Sequence, residues 1–232
     1  MAAPSIRRIA AVTVLVTVGA TALSYGLPKA YASTAVAGLF LAATWWECLR
    51  GDGDSIRRVG LSLGGLMDPE PLPWRAMLRS LVVAVAWATL CAVVIFPPFY
   101  FGYRWWWQPG AQPVWALPAG FLDLALGQLL VVALPEEAFF RGYLQSGLER
   151  HWPKRSYRVL GAKLGLGWLV ASAVFAVGHM LTIAHPNRLA VFFPALLFGW
   201  LRARTGGIGA AVVFHAMCNL LTLIFAKSFG LL

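Results

Sequence analysis

Charged residues are scarce in this sequence. Only 12% of its 232 residues are Asp, Glu, Lys or Arg, whereas 59% are hydrophobic and the mean hydropathy is +0.71. A soluble domain of this length carries about twice that charged fraction. The composition therefore excludes an ordinary soluble domain and predicts an integral membrane protein.

Cysteine is also scarce, since the chain has three: Cys48, Cys91 and Cys218. They form no CxxC pair, and an odd number argues against a disulfide framework. Each lies in or beside an apolar run, so we expect small buried side chains.

Acidic residues are fewer than basic ones, which gives a net charge of +10. We expect no nucleic-acid binding, because the sequence has no basic face with interleaved aromatic residues. The basic residues instead fall in short loops between apolar runs, as in membrane proteins with a fixed orientation.

The apolar runs predict an all-α fold, a polytopic transmembrane helical bundle of about seven spans. We divide it into residues 1–115, with the N-terminal helices and a cytoplasmic loop, and residues 116–232, with a four-helix core. The predicted spans lie near 9–27, 31–49, 80–101, 117–139, 165–184, 189–203 and 207–227. The first resembles a signal peptide, but its apolar run is long for one, and we favour a retained helix.

The distribution of basic residues predicts that the N-terminus lies inside. Four basic residues then lie outside: Lys29, Arg104, Arg188 and Lys227. Fourteen lie inside: Arg7, Arg8, Arg50, Arg57, Arg58, Arg75, Arg79, Arg150, Lys154, Arg155, Arg158, Lys163, Arg202 and Arg204. This is a strong positive-inside bias. Residues 51–79 form the one long polar connection, for which we expect a cytoplasmic loop with a short interfacial helix.

Two glutamates and an arginine stand near the end of the fourth predicted span, in the stretch LPEEAFFRGY (134–143). Ionisable groups cost about 2.5–3.5 kcal/mol each inside a membrane, so they usually face a cavity and act there. Glu137 and Arg141 share one helical face and can pair. Glu136 points about 100° away and lacks that cation, which suits general base and acid work. A charged span end at the interface is an equally good explanation of this stretch alone.

Two further polar pairs lie within spans. In FAVGH (175–179), Phe175 and His179 share a helical face, and a lone histidine there is more often structural. In HAMCN (215–219), His215 and Asn219 share a face in mid-span. They can act as polar contacts between helices, or hold a developing oxyanion. We expect His151 and His185 to be solvated.

Together, the motifs EEAFFR, FAVGH and HAMCN resemble the EExxxR, FxxxH and HxxxN motifs of the CPBP intramembrane proteases, also called the CAAX-protease and bacteriocin-processing or Abi family. The resemblance covers about residues 116–227. It implies peptide-bond hydrolysis by a glutamate-activated water. It further implies Glu136 as general base, His179 as a water-orienting group, His215 and Asn219 as oxyanion donors, and Glu137 and Arg141 in support.

The resemblance leaves the metal question open. Two histidines and a glutamate also form a zinc set, with His179, His215 and either Glu136 or Glu137 as ligands. We favour a metal-free site without a cofactor, because Asn219 suits an oxyanion donor better than a zinc ligand. In either mechanism Glu136 and His179 must meet. We therefore expect either that the fourth helix continues past Glu136 toward Gln145, or that the fifth helix begins later than the predicted boundary.

Two other functions compete with the protease. A proton-coupled transporter or channel would use the same buried residues, although no inverted repeat is visible. A non-catalytic scaffold or immunity factor is the second rival. For the protease, we expect a membrane-anchored or C-terminally tagged protein or peptide as substrate, the lipid bilayer as surroundings, and a bacterial inner membrane as location.

Overall fold

The computed structural model describes residues 4–68, 72–110, 113–115, 117–153 and 156–231. They form an all-helical bundle with one small hairpin, which confirms the predicted fold class. Among the predicted inside residues, Lys154 and Arg155 lie outside the described residues, as does Ala116 at the predicted boundary of the second unit.

The first two helices pack against each other as an antiparallel pair. Helix α1 spans Ile6–Gly26 and α2 spans Lys29–Thr44, with a π-helical continuation over Trp45–Leu49. Ile9 of α1 is 1% exposed and belongs to the hydrophobic core. At one end of the pair, Arg8 of α1 forms a 2.9 Å ion pair with Glu47.

The long polar connection contains the expected short helix, but its apolar side chains enter the bundle. Helix α3 spans Gly53–Arg58, and a 3-10 turn spans Leu63–Gly65. The side chains of Ile56, Val59 and Leu61 are buried in the main core. This connection is thus a folded part of the protein.

Helix α4 spans Trp74–Trp107 and is longer than the predicted span 80–101. The helix continues through Pro97 and Pro98 and ends at Trp107, the last residue of the aromatic stretch 96–107. Membrane helices tolerate proline when neighbouring groups satisfy the freed backbone carbonyls.

The fourth predicted span is a composite helix that continues well past Glu136, as the motifs require. It consists of α5, α6 and α7 joined by two π-helical stretches. Its five consecutive pieces are α5 (Phe121–Leu126), π (Gly127–Ala133), α6 (Leu134–Glu137), π (Ala138–Gln145) and α7 (Ser146–His151). In a π stretch the hydrogen bonds span five residues, as from Leu134 N–H to the Leu129 carbonyl. Pro135 follows directly and has no N–H to donate.

The rest of the chain forms a hairpin and three helices. Strands β1 (Ser156–Val159) and β2 (Ala162–Gly165) pair antiparallel, an element that we did not predict. Leu160 and Gly161 between them both have positive φ, as a two-residue type I′ turn requires. The helices are α8 (Leu166–Thr182), α9 (Phe192–Thr205, after a 3-10 turn over Pro186–Val191) and α10 (Gly209–Ser228).

The protein is an integral membrane protein. Among the described residues, four helical segments are long and apolar enough to cross a bilayer: Ile6–Gly26, Lys29–Leu49, Trp74–Trp107 and Gly209–Ser228. Helix α8 is apolar but shorter. All seven predicted spans correspond to helical segments, although α9 is only 14 residues long.

Backbone contacts gather the predicted inside segments at one end of the bundle. The Ile208 N–H before α10 donates to the Gly60 carbonyl at 3.0 Å. Arg202 near the end of α9 donates to the Arg58 carbonyl at 3.3 Å. His151 at the end of α7 lies 2.6 Å from the Pro4 carbonyl. The contacts between these segments agree with the alternation of ends that the sequence predicts.

Helices α7 and α8 approach closely at Gly167. A Cβ atom at this position would lie 2.7 Å from the backbone nitrogen of Glu149. Because backbone cannot move aside as a side chain can, Gly167→Ala should destabilise the protein by about 1–3 kcal/mol, the usual cost of overpacking. Thermal unfolding in detergent measures this loss.

Gly178→Ala is the matched control on the same helix, because a Cβ there would meet no atom within 4 Å. We expect an unchanged or raised unfolding temperature for this variant, since alanine favours helix. Equal unfolding temperatures for the two variants would contradict the close approach of α7 and α8.

Candidate active site

A fully buried ion pair lies at the centre of the C-terminal half. Glu137 Oε2 and Arg141 Nε are 3.1 Å apart, and the two side chains are 0% and 1% exposed. The residues are one turn apart on the composite helix, as the sequence predicted. Arg141 also donates from Nη2 to the Ala195 carbonyl of α9 at 2.9 Å. The pair therefore joins the composite helix to α9.

Two phenylalanines enclose this ion pair. The Arg141 guanidinium carbon lies 4.6 Å from the ring centre of Phe175 and 5.3 Å from that of Phe198. Phe198 also stacks on His215, with ring centres 4.6 Å apart and planes at 13°. Phe175 contacts the His179 ring at 4.3 Å. The same aromatic rings thus surround the cation and orient both histidines.

His215 is fixed by the second oxygen of Glu137. Its Nδ1 lies 2.9 Å from Glu137 Oε1, and its side chain is 4% exposed. An ionised carboxylate can only accept hydrogen bonds, so Nδ1 carries the proton. Nε2 of His215 is then the atom that faces Glu136, at 3.9 Å from Oε2.

Glu136 stands between the two histidines. Its Oε2 atom is 3.8 Å from His179 Nε2 and 3.9 Å from His215 Nε2. That oxygen is buried and has no hydrogen-bond partner among the described residues. These separations are longer than a hydrogen bond. They would accommodate one further atom that bonds to Glu136 Oε2 and to the two Nε2 atoms.

The ring of His179 is oriented by its own helix. Nδ1 lies 3.0 Å from the Phe175 carbonyl one turn earlier. Because a carbonyl only accepts, Nδ1 is the donor, and in the neutral ring Nε2 is an acceptor. The FxxxH spacing thus supplies both an aromatic neighbour and a backbone anchor for this histidine.

Asn219 lies one turn beyond His215 on α10 and faces the outer part of the composite helix. Its Nδ2 atom donates to Gln128 Oε1 at 2.8 Å. Gln128 is the second residue of the first π stretch and was not predicted as a site residue from the sequence. The sequence feature that marks Gln128 is its polar side chain within the apolar run FLDLALGQLLVV.

Glu136 and His179 lie close to the turn between α8 and α9. His179 belongs to the last turn of α8, and the 3-10 turn Pro186–Val191 follows. Arg188 of this turn lies within electrostatic reach of both Glu136 and His179. Its Nε atom is buried and has no hydrogen-bond partner among the described residues. We had predicted Arg188 as a plain loop cation, whereas the structure brings it to the site.

The remaining candidates stay apart from this cluster. His151 and His185 are exposed, as predicted, and His185 Nδ1 accepts from the Asn187 N–H. Cys48, Cys91 and Cys218 are free thiols, the first two buried and the third half-buried.

Residues 118–221, a little under half of the chain, match the Rce1-like family model, which describes type II CAAX prenyl endopeptidases that are Rce1-like. These residues are similar to that family, and the matched region is called the Rce1-like domain below. No curated protein and no solved structure matches the chain. The match confirms the resemblance to the CAAX proteases and supports, in general terms, an intramembrane endopeptidase that acts on peptide bonds.

The matched region contains all three motifs and the whole cluster of polar side chains. Gln128, Phe198 and Arg188 of the Rce1-like domain were missed in the sequence. Phe198 gave no signal, since it is one of many apolar residues in FFPALLFGW, and Arg188 looked like an ordinary loop residue.

The buried ion pair of the Rce1-like domain makes a prediction about stability. Arg141→Met leaves Glu137 buried without its guanidinium partner, and breaking a buried pair in this way costs about 3–5 kcal/mol. The double variant Glu137→Gln with Arg141→Met removes both charges and should recover much of this loss. Thermal unfolding in detergent compares the two proteins.

Asp54→Asn is the matched control, because Asp54 also pairs with an arginine, Arg57, but the two side chains are 82% and 44% exposed. An exposed ion pair contributes about 0–1 kcal/mol, so we expect a small change. If Arg141→Met unfolded at the same temperature as Asp54→Asn, the buried pair would not have the structural role that we assign.

Proposed function

We propose that the chain is an intramembrane endopeptidase that cleaves a membrane-tethered protein with a water activated by Glu136. One observation carries this proposal, namely the contrast between two adjacent carboxylates. Glu137 is held by Arg141 at 3.1 Å and by His215 at 2.9 Å. Glu136 Oε2 instead lies at the longer distances of 3.8 and 3.9 Å from the Nε2 atoms of His179 and His215. It is therefore the carboxylate free to take a proton.

The water would sit between Glu136 and His179. It would donate one hydrogen to Glu136 Oε2 and the other to His179 Nε2, which the Phe175 carbonyl leaves as the acceptor. Both acceptors direct the oxygen lone pair toward a peptide carbonyl. As the water attacks the carbonyl carbon, one of its protons passes to Glu136. A positioned general base typically increases the reaction rate by 10²–10⁴-fold.

His215 and Asn219 would hold the oxyanion of the tetrahedral intermediate. His215 donates from Nε2 when its ring is protonated, and its Nδ1–H then remains bonded to Glu137. Glu136 next gives its proton to the amide nitrogen and the C–N bond breaks, which yields a carboxylic acid and an amine. Transfer of the acid proton to the amine then gives the carboxylate and ammonium products.

A zinc-dependent form of the same hydrolase is the second candidate. Two imidazole nitrogens and a carboxylate oxygen converge, and carboxylate bonding to a histidine ligand, as Glu137 to His215, is typical of zinc sites. In the described part of the chain, no three His, Cys, Asp or Glu side chains lie at metal-site spacing. If zinc is the cofactor, His179, His215 and Glu136 would hold it, and it would polarise the carbonyl or the water.

The substrate and the orientation belong to the same proposal. A substrate anchored in the bilayer can reach a site built within helices. Processing near a C-terminus agrees with the similarity to CAAX endopeptidases, since CAAX is a C-terminal motif. The excess of basic residues on one set of loops supports an N-terminus on the cytoplasmic side. We propose a bacterial inner membrane as the location.

Glu136→Gln tests the general base. The amide has nearly the same shape but cannot take a proton, so proteolysis should fall by at least about 10²-fold while the unfolding temperature stays unchanged. Mass spectrometry of protein C-termini, in membranes and medium of cells with either form, identifies the processed proteins. Glu137→Gln is the comparison, and it should lower both activity and stability. Full processing by Glu136→Gln would overturn the proposed mechanism.

Metal removal separates the two candidates. We expect the purified protein to contain no stoichiometric zinc by elemental analysis and to retain its activity after treatment with a chelator. Loss of activity with a chelator, followed by recovery when zinc is added back, would establish the zinc-dependent form instead.

A further inference from the structure

The composite helix and α10 meet through two successive polar contacts. The inner contact joins Glu137 to His215. The outer contact joins Gln128 to Asn219, with Nδ2 and Oε1 at 2.8 Å. Because these helices run antiparallel, a position one turn later on α10 lies opposite an earlier position on the composite helix. Both contacts therefore lie along one line of contact between the two helices, here called the seam. The contact between Gln128 and Asn219 lies next to the site.

The first π stretch brings Gln128 onto this seam. Gln128 and Glu136 are eight positions apart. In a regular α-helix this distance corresponds to ~2.2 turns and leaves the two side chains ~80° apart around the helix axis. The stretch Gly127–Ala133 has wider turns because its hydrogen bonds span five residues. In wider turns each residue is rotated by a smaller angle about the helix axis, so the angle between Gln128 and Glu136 becomes smaller. Gln128 therefore faces α10, as Glu136 and Glu137 do.

The contact constrains an amide that would otherwise rotate. The side chain of Asn219 has one oxygen and two N–H donors. With one N–H bonded to Gln128, the plane of the amide and the direction of the second N–H are fixed. His215, one turn away on the same helix, is fixed in the same manner by Glu137. Each oxyanion donor thus has its own partner on the composite helix.

We propose that Gln128 is a positioning residue that orients Asn219 toward the oxyanion of the tetrahedral intermediate. This inference rests on the proposed protease function. Gln128 acts through Asn219 and need not touch the substrate. A preorganised donor is effective because it does not reorient as charge develops, and the loss of an outer partner of this kind typically costs 10–100-fold in activity.

Polar contact between helices is the simpler explanation of the same bond. It predicts a different outcome, because a purely structural Gln128 affects stability whether or not Asn219 is present. A positioning role predicts that the effect on kcat disappears once Asn219 is removed. The two roles are therefore separated by a double-mutant cycle.

The experiment uses a membrane-anchored reporter carrying the C-terminal segment of a protein whose processing requires Glu136. Cleavage rates are measured for the full-length chain, for Gln128→Leu, for Asn219→Ala and for the double variant. We expect Gln128→Leu to lower kcat by about 10–100-fold with little change in KM. In the Asn219→Ala background, Gln128→Leu should add less than about twofold, since interacting sites are not additive.

Two further variants sharpen the result. Gln128→Glu keeps an oxygen that accepts from Asn219 Nδ2, so it should recover most of the activity lost in Gln128→Leu. Thr222→Val is the matched control on α10, because its hydroxyl donates only to the Cys218 carbonyl of its own helix. We expect this control to cleave at the unmodified rate.

The outcomes distinguish this inference from the proposed function. If Glu136→Gln is inactive and Gln128→Leu cleaves normally, the protease stands and the positioning role is wrong. Additive losses of Gln128→Leu and Asn219→Ala, with a lower unfolding temperature, would also overturn it in favour of a structural contact. If the unmodified chain cleaves no protein, both the function and the inference fail.

Discussion

The fully buried ion pair between Glu137 and Arg141 is the constraint on which the rest of the site depends. Removing two charges from water is expensive, so the pair is tolerated only where other groups satisfy its remaining atoms. Arg141 Nη1 has no hydrogen-bond partner among the described residues, but the Ala195 carbonyl, the His215 ring and two phenylalanine rings contact the other groups of the pair. These groups come from α8, α9 and α10, so satisfying one ion pair fixes three helices around the composite helix.

The ion pair also makes two adjacent glutamates chemically different. Both belong to one helix and differ by a single position, yet Glu137 contacts a guanidinium and an imidazole while Glu136 lies between two Nε2 atoms at 3.8 and 3.9 Å. Rotation of about 100° per residue in a helix produces this division. One carboxylate is therefore committed to structure and to holding His215, and the other is the one to which we assign proton transfer in the proposed mechanism.

The sequence predicted what depends on local spacing. Helical periodicity placed Glu137 beside Arg141, and the order of the three motifs required that Glu136 and His179 meet. The sequence could not predict the π stretches, because the widening of a helical turn depends on tertiary packing as well as on Pro135. Gln128 was missed for that reason, since in a regular helix it would lie ~80° around the helix axis from Glu136. Phe198 was missed because apolar membrane helices look alike until they pack.

The short α8 explains how a site within the bundle can exchange water and substrate. His179 lies in the last turn of α8, whereas Glu136 stands in the middle of a much longer helix. Helix α8 thus ends beside the reactive groups, and the exposed turn leading into α9 forms their border. Arg188 of that turn adds a cation near Glu136 without a direct ion pair in the described structure. The polar groups are therefore enclosed by helices on the buried side and bordered by a polar turn on the other, as hydrolysis within a membrane requires.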